Sequence, residues 1–337
     1  MKMAKISLKI IAQELGVSTA TVSLVLSEKN KNGRVSKELS NRILKKAKEL
    51  NYIPNNLAKS LRVGRSKTLG LIIADISNVF FGSLAFYIQE YAELKGYTVI
   101  IANTNEKVSK MKSMVDVMTC RQVDGFIITP TEGSEEIIKD LVEKRFPMVL
   151  VDRCFPGISS NNVLINNYDI SFKAVNSLII KGCRRVGLMI YKQNQFHMQE
   201  RKRGYVDALK SIGIYDINLV KEVRYEQLEE DVRQATSDFL NMNEKIDGIF
   251  FATNTISMMG LRSLIYFTKN DLKGIQMMCF DESDAYCLLP FDTPFIKQPI
   301  EEMGKISVNL VTEQINNSAI KNMQYLLSAQ LIEKEDV

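Results

Sequence analysis

From Thr68 onward, short apolar runs alternate with segments of helical periodicity, and this alternation constrains the fold more than any other feature. Such an order predicts βαβ units with right-handed crossovers and parallel sheets. The predicted strands are Leu69–Ile73, Thr98–Ala102, Gly125–Thr129, Met148–Val151, Val163–Ile165, Val186–Ile190, Ile249–Ala252 and Ile275–Phe280. The predicted helices are Ser83–Leu94, Val108–Cys120, Glu135–Lys144, Ile170–Ile180, Glu200–Ile212, Leu228–Leu240, Thr255–Tyr266 and Glu301–Ile315. Eight strands exceed what one sheet of this kind usually holds, so we expect an α/β region of two doubly wound parallel-sheet lobes.

Polar side chains follow several of these strands, at the positions beyond the carboxyl ends where α/β folds bind ligands. They are Asp75, Asn78, Asp152, Arg153, Asn254 and Asp281, with Phe80 and Phe81 close to the first pair. Carboxylates and amides bind hydroxyl groups, and aromatic rings pack against C–H groups, so the set predicts a polyhydroxylated ligand in a cleft between the lobes. For any single residue, capping of the next helix is an equally good explanation. For the whole set, a binding site is the better one.

The first 67 residues show a different pattern, in which two short helices meet at a tight turn within Leu15–Ser23. Gly16 supplies a permissive backbone there, and Ser18 can accept a hydrogen bond from the free N–H groups that open the second helix. That helix has small polar side chains on one face and is expected to bury Val22 and Leu26 on the other. A helix with such a surface fits the major groove of DNA.

Charge supports a nucleic-acid partner for this head, residues 1–67. The head carries 15 Lys and Arg against 4 Asp and Glu, whereas the rest of the chain carries 29 against 35. A surplus of eleven positive charges at one end indicates electrostatic attachment to a polyanion. A basic surface that serves only solubility is the weaker explanation, because the charge coincides with the helix-turn-helix pattern.

The segment from Asn55 to Arg62 follows Pro54 and has a short helical pattern that would be marginal on its own. Stabilised by a symmetry mate and by DNA, it would place Leu61 as an apolar wedge in the minor groove. A flexible linker whose leucines pack on the neighbouring domains explains the residue types equally well.

Composition argues against several classes of protein. No apolar run approaches the roughly 20 residues of a transmembrane helix. The N-terminus begins like a signal peptide, but Lys9, Gln13 and Glu14 interrupt the apolar segment that would have to follow. We therefore expect a cytoplasmic protein, associated with the nucleoid when it is bound to DNA.

Nothing in the sequence predicts catalysis, a cofactor or a metal site. His197 is the only histidine, which excludes a histidine-rich metal site and makes any Ser–His–Asp triad depend on that residue. Neither a GxxxxGKS/T phosphate loop nor a GxGxxG fingerprint occurs. We expect His197 at the surface or at the rim of a pocket.

Short motifs follow one another along the chain in a specific order. In the head and the segment after it they are Val17–Ser23, Arg34–Ser36, Leu50–Asn55, Ala58–Arg62 and Thr68–Ile72. In the sensor, residues 68–337, they are Asp75–Phe81, Val123–Ile127, Arg201 with Gly204–Tyr205, Phe280–Glu282 and Ile296–Pro299. Each motif alone is modest, but their order and spacing together resemble the lactose/galactose repressor (LacI/GalR) family nearly from end to end.

The resemblance implies an N-terminal all-α helix-turn-helix domain and an α/β sensor similar to periplasmic binding proteins. It implies a homodimer on near-palindromic, double-stranded operator DNA, and a sugar or sugar derivative as effector between the lobes. By position, the DNA-contacting residues would be Ser18, Thr19, Ala20, Thr21, Ser23, Leu24, Lys59, Ser60 and Leu61. The effector-contacting residues would be Asp75, Asn78, Phe80, Phe81, Asp152, Arg201, Asn254 and Asp281. The match also favours the wedge role of Leu61.

The resemblance further implies the domain boundaries. The helix-turn-helix domain would cover residues 1–54, the hinge helix and linker 55–67, and the effector-binding domain 68–337. The first lobe would comprise residues 68–166 and 297–322, and the second lobe residues 167–296 and 323–337. Since no heptad repeat follows the sensor, a dimer is expected rather than a tetramer.

Four positions depart from the family pattern and leave the operator sequence and the effector open. Leu24 stands where Arg is frequent, so an apolar contact would replace bidentate recognition of guanine. Ile10 and Thr255 each replace a common Asp, and Val79 replaces a frequent Pro.

The resemblance thus implies a ligand-responsive transcription regulator without enzymatic activity, a repressor of carbohydrate-utilisation genes. A protein corepressor as a further partner stays open. A solute-binding transport protein is a weaker alternative, because it would need an export signal and would not need a basic head. An α/β enzyme such as a sugar isomerase or kinase would need a catalytic constellation that these residues do not offer.

Overall fold

The computed structural model describes residues 7–26, 34–52, 64–269, 271–272, 274–317 and 321–333. The chain divides into two compact units, residues 1–66 and 67–337. Lys59, Ser60 and Leu61, the predicted hinge contacts, lie outside the described residues. Within the described ranges, no single helix is both long and apolar enough to cross a membrane.

Among its described residues, the first unit contains three helices, α1 (Leu8–Leu15), α2 (Thr19–Leu26) and α3 (Lys37–Glu49). Gly16 ends α1 in the left-handed region with φ of 65°, and the chain bends by 112° between α1 and α2, as in helix-turn-helix motifs. The buried core is formed by Ile11, Ala12, Val22, Val25, Val35, Ile43 and Ala47. The prediction that Leu26 is buried is wrong: at the C-terminal end of α2 it is only half-buried.

The second unit contains two six-stranded sheets, which form two lobes. The first sheet contains β1 (Thr68–Ile73), β2 (Thr98–Asn103), β3 (Gly125–Ile128), β4 (Met148–Val151), β5 (Asn161–Ile165) and β11 (Gln324–Leu327). Its strands are parallel and lie in the order β11-β5-β4-β3-β1-β2. The helices of this lobe are α4 (Val79–Leu94), α5 (Val108–Cys120), α6 (Glu135–Glu143) and α11 (Ile300–Asn316).

The second sheet contains β6 (Val186–Tyr191), β7 (Val220–Val223), β8 (Gly248–Phe251), β9 (Gln276–Phe280), β10 (Phe295–Lys297) and β12 (Gln330–Ile332). Its order is β12-β10-β9-β8-β6-β7; β12 runs antiparallel to β10 and the other described pairs are parallel. The helices of this lobe are α7 (Asn167–Ile180), α8 (Phe196–Lys210), α9 (Leu228–Leu240) and α10 (Asn254–Thr268). Short 3-10 turns lie at Ile217–Leu219, Tyr225–Gln227 and Asp284–Leu288.

The predicted fold class is confirmed, since a small helical unit precedes two lobes built on mainly parallel sheets. All eight predicted strands are present. The strands β7, β10, β11 and β12 were not predicted, because each contains polar residues and is partly exposed, unlike the buried apolar runs that mark the other strands.

The expected return of the chain to the second lobe at residue 323 is wrong. Gln324–Leu327 forms β11, which pairs in parallel with β5 of the first sheet, and Gln330–Ile332 then reaches the second sheet. Along β11 exposed and half-buried residues alternate. Such a pattern suits an edge strand of either sheet, so the sequence alone could not assign it to one lobe.

The chain passes between the lobes three times, around residues 166, 298–299 and 328–329. The first and third crossings are hydrogen-bonded to each other. The Asn166 N–H donates to the carbonyl oxygen of Leu327 at 3.0 Å, and the Asn166 Oδ1 accepts from the Ala329 N–H at 2.9 Å. The first and third crossings are therefore linked to each other and are not two independent connections between the lobes.

The packing of α7 against α8 depends on Gly204. A Cβ atom at this position would lie 2.5 Å from the carbonyl oxygen of Tyr168 and 2.8 Å from the nitrogen of Phe172. Backbone atoms cannot rotate away, so Gly204→Ala should lower the free energy of unfolding by about 1–3 kcal/mol in urea denaturation. The control Gly157→Ala, where a Cβ would meet nothing within 4 Å, should change it by less than about 0.5 kcal/mol. Equal effects of the two substitutions would contradict this account.

Candidate functional site

A cavity of about 500 Å³ lies between the two lobes, at the carboxyl ends of the parallel strands. All eight residues that the sequence assigned to an effector site line it: Asp75, Asn78, Phe80, Phe81 and Asp152 from the first lobe, and Arg201, Asn254 and Asp281 from the second. The fold thus brings together residues from distant parts of the chain. A cavity of this size suits a small molecule.

Each lobe contributes one buried aspartate directly after a strand. Asp152 follows β4 and Asp281 follows β9, and both have left-handed backbone conformations, with φ of 67° and 71°. Such a conformation costs about 1–3 kcal/mol for a residue other than glycine and persists where the surroundings impose it. Burial raises the pKa of both carboxyl groups, although nearby guanidinium groups oppose the shift.

Asp281 is tied to both neighbouring segments. Its Oδ2 accepts a hydrogen bond from the Asn254 N–H at 3.2 Å, and its Oδ1 accepts from the Gln298 Nε2 at 2.6 Å. Asn254 is the first residue of α10, so the carboxylate lies at the N-terminus of that helix. Asp281 thereby places a negative charge where the helix dipole favours it.

Arg201 on α8 is buried, and its contacts hold it in one orientation. Its Nε donates to Asn167 Oδ1 at 2.7 Å, its Nη1 donates to the carbonyl oxygen of Ala252 at 2.8 Å, and the guanidinium lies 3.5 Å from the centre of the Phe280 ring. Burial lowers the pKa of Arg201 to about 10, against the opposing effect of Asp281. The side chain is therefore a fixed cation at neutral pH.

On the other side of the cavity, Arg153 forms a buried ion pair with Glu106. The guanidinium makes a forked contact, with Nη2 2.8 Å from Glu106 Oε1 and Nη1 3.0 Å from Glu106 Oε2. Its Nε lies 3.4 Å from Asp152 Oδ2. Although burial acts to lower the pKa of Arg153, its pKa is raised because Glu106 stabilises the charged form.

Sequence reasoning missed several other residues that line the cavity. They include Glu106, Tyr191, Tyr225, Thr253 and Gln298. Glu106 and Tyr191 follow or end predicted strands and could have been found by the rule that identified Asp75. Gln298 and Tyr225 lie in connections whose position no local pattern specifies.

His197 is 3% exposed and lines the cavity, so the expectation of a surface position is wrong while a place at a pocket is correct. It lies in the first turn of α8, which turns its side chain away from solvent. Burial, together with Arg153 and Arg201, holds the pKa of His197 well below its usual value. The ring is therefore neutral at neutral pH.

Hydrogen bonds join the two lobes across the cleft. Asn78 Nδ2 donates to Thr255 Oγ1 at 2.9 Å, and Gln195 Nε2 donates to the carbonyl oxygen of Pro130 at 3.0 Å. Asn78 also caps α4, because its Oδ1 accepts from the Phe80 N–H at 2.9 Å. Asn78 therefore both caps α4 and lines the cavity.

The predicted DNA-reading residues lie at the start of α2. Ser18, Thr19 and Ala20 are exposed, and Thr21 and Ser23 are half-buried. Leu24 is half-buried as well and packs against the core of the first unit. Ser18 caps the helix as predicted, since its Oγ accepts from the Thr21 N–H at 3.0 Å. The face that would meet a groove thus begins with small, exposed side chains.

Comparison with known families matches both units. Residues 7–55 match the family "Bacterial regulatory proteins, lacI family", and residues 66–326 match "Periplasmic binding proteins and sugar binding domain of LacI family". The chain belongs to the LacI family. It is accordingly a transcriptional regulator with a DNA-binding domain and a ligand-binding domain.

Individual relatives agree with this assignment. The probable transcriptional regulator EndR of Paenibacillus polymyxa is 31% identical over 92% of this chain and 91% of its own length. The ribose operon repressor of Halalkalibacterium halodurans is 28% identical over 96% of this chain and 95% of its own length. The lac repressor dimer bound to operator and the anti-inducer ONPF has the same fold, with a TM-score of 0.83 over 98% of both chains at 22% identity. These relatives are regulators rather than enzymes.

The cap at Ser18 gives a test of the helix-turn-helix geometry. Ser18→Ala removes the acceptor of the Thr21 N–H and should destabilise the first unit by about 1 kcal/mol, whereas Ser18→Asp keeps an acceptor and should change little. Hydrogen exchange of the full chain should show about fivefold faster exchange of amides in α1 to α3 for Ser18→Ala alone. Identical exchange in both variants would show that the cap does not stabilise the helix.

Proposed function

We propose that this LacI-family regulator represses carbohydrate-utilisation genes in the cytoplasm, on nucleoid DNA. In this proposal a homodimer binds a near-palindromic operator, and a sugar or sugar derivative in the interlobe cavity changes the affinity for DNA. The observation that carries the proposal is the assembly of eight polar and aromatic residues around one cavity.

The chemistry of the cavity supports a polyhydroxylated ligand. Asp152 and Asp281 offer carboxylate oxygens that accept hydrogen bonds from hydroxyl groups, and Arg201 offers a fixed donor. Phe80 and Phe81 pack edge to face with ring centres 5.0 Å apart and present apolar surface for C–H groups. Such a mixture of a few fixed polar groups with aromatic walls is typical of small-molecule sites.

The basic head supports operator binding. Exposed Thr19 and Ala20 on α2 would contact bases. In the predicted hinge helix, Lys59 and Ser60 would contact the operator and Leu61 would enter its minor groove. Lys and Arg side chains would bind phosphates and supply most of the affinity. Because Leu24 packs partly on the core, only its exposed part would reach a thymine methyl group.

Effector and operator are coupled through the angle between the lobes. A ligand shifts an equilibrium only by its differential affinity for the two states. The interlobe bonds of Asn78 and Gln195 form only when the lobes are close, so a ligand that contacts both lobes would favour this closed arrangement. The closed arrangement would then set the spacing of the two hinges in the dimer.

The role of the head can be tested by comparing the full chain with a shortened chain that begins at Thr68. Only the full chain should bind an operator selected from random DNA, and fluorescence anisotropy should show at least about a hundredfold loss of affinity between about 50 and 200 mM salt. Binding by the shortened chain, or no binding by the full chain at low salt, would refute DNA regulation through the head.

The role of the cavity can be tested with Arg201→Lys. Lysine keeps the positive charge but cannot make the two directed bonds to Asn167 and Ala252, so the sugar concentration that releases operator should rise at least about tenfold. Operator affinity without sugar should not change. Arg203→Lys on the same helix, whose side chain is 55% exposed, is the matched control and should behave like the unaltered protein. Equal responses of the two variants would remove Arg201 from the site.

A further inference from the structure

We infer that the effector is an uncharged polyhydroxylated molecule, a sugar that carries neither phosphate nor carboxylate. This inference rests on the proposed role of the interlobe cavity as the effector site. It follows from the negative charge of the cavity and from the contacts that already occupy its arginine side chains.

The charge of the cavity is negative. Its lining contains five carboxyl groups, those of Asp75, Glu106, Asp152, Glu226 and Asp281. Two guanidinium groups face them, those of Arg153 and Arg201, while the neutral His197 adds no charge. Even with both buried aspartates protonated, three carboxylates would remain against two cations. A phosphate dianion would therefore be repelled by the net negative charge of the cavity.

Arg153 cannot bind a phosphate group because the two terminal nitrogens of its guanidinium group are already occupied. Both of its terminal nitrogens contact Glu106, at 2.8 and 3.0 Å, and both side chains are 9% exposed. A guanidinium group binds phosphate through this same pair of N–H groups. A phosphate would have to displace a buried carboxylate, which would then be left unpaired in a low-dielectric site.

The guanidinium group of Arg201 is also held by contacts within the protein. Two of its nitrogens donate to Asn167 and Ala252, and its flat face covers Phe280. In the described part of the chain the remaining nitrogen, Nη2, has no hydrogen-bond partner, so its two N–H groups are left for a ligand. A single unused nitrogen suits a hydroxyl oxygen, whereas bidentate binding of phosphate takes N–H groups from two nitrogens, and the other two already donate within the protein.

At two of the helix N-termini beside the cavity, those of α4 and α10, side chains of the protein accept hydrogen bonds from the backbone. At α10, the Asn254 N–H donates to the Asp281 carboxylate and the Ile256 N–H donates to Thr253 Oγ1. At α4, the Phe80 N–H donates to Asn78 Oδ1. Free N–H groups at helix N-termini are common binding sites for phosphate. At α4 and α10 side chains of the protein already accept from these N–H groups.

One buried acceptor at the cavity requires a donor, which a phosphate dianion does not have. Gln298 Oε1 is buried without a hydrogen-bond partner, and the orientation of its amide is set because Nε2 donates to Asp281. An unpaired buried acceptor costs about 1–3 kcal/mol. A sugar hydroxyl can donate to such an oxygen, whereas a phosphate dianion placed there can only accept.

The first experiment measures binding to the full chain by calorimetry with matched pairs: glucose and glucose 6-phosphate, ribose and ribose 5-phosphate, galactose and galactose 1-phosphate, together with cellobiose. At least one free sugar should bind, and its phosphate should bind at least about tenfold more weakly. The affinity for the free sugar should change little with salt. Tighter binding of any phosphate than of its free sugar, or no binding of any uncharged sugar, would overturn the inference.

The second experiment tests the role of the Arg153–Glu106 pair. Glu106→Gln frees the guanidinium and should reduce the preference for free sugar over its phosphate by at least about tenfold. Glu226→Gln is the matched control, because Glu226 lines the same cavity and loses the same charge without releasing an arginine. An unchanged preference in Glu106→Gln, or equal changes in both variants, would overturn the role of the pair. Thermal unfolding of both variants verifies that they are folded.

Operator binding separates this inference from the proposed function. Release of operator by a phosphorylated sugar would overturn the inference and leave the proposed function intact. Failure of the full chain to bind operator would overturn the proposed function, while the calorimetric preference would still decide the charge of the ligand.

Discussion

Compensation of buried charge is the constraint on which the interlobe cavity depends. A guanidinium group removed from water is tolerated only when it is paired and hydrogen-bonded. Arg153 meets this condition through Glu106, and Arg201 meets it through Asn167, Ala252 and the nearby Asp281. These requirements bring the loop after β2, the end of β4, the first turn of α7, the second turn of α8 and the ends of β8 and β9 to one place. The rigidity of the cavity and its charge therefore have the same cause.

The sequence allowed much of this arrangement to be predicted, because each strand ends at a visible change from apolar to polar residues. Asp152 and Asp281 were found in this way, and parallel strands place such positions at one edge of a sheet. Glu106 obeyed the same rule and was overlooked. Gln298 could not be found, since its place depends on how the chain crosses between lobes and not on any local period.

The remaining errors also arise where local patterns do not decide. Four partly exposed strands that contain polar residues were missed, and β11 was assigned to the wrong lobe because an edge strand needs only one half-buried face. In the head, Gly16 and Ser18 acted as predicted because both effects are confined to one turn. The packing of Leu24 could not be predicted in this way. It depends on the positions of α1 and α3, which the pattern of a single helix does not determine.

The paired crossings at Asn166 and Ala329 have a mechanical consequence. Two chain segments that are bonded to each other resist sliding of one lobe along the other but still permit rotation about the point where they meet. Movement produced by such a rotation is smallest beside the crossings and grows in proportion to distance from them. A small tilt that follows the occupation of the cavity would thus become a large displacement at the far edges of the lobes.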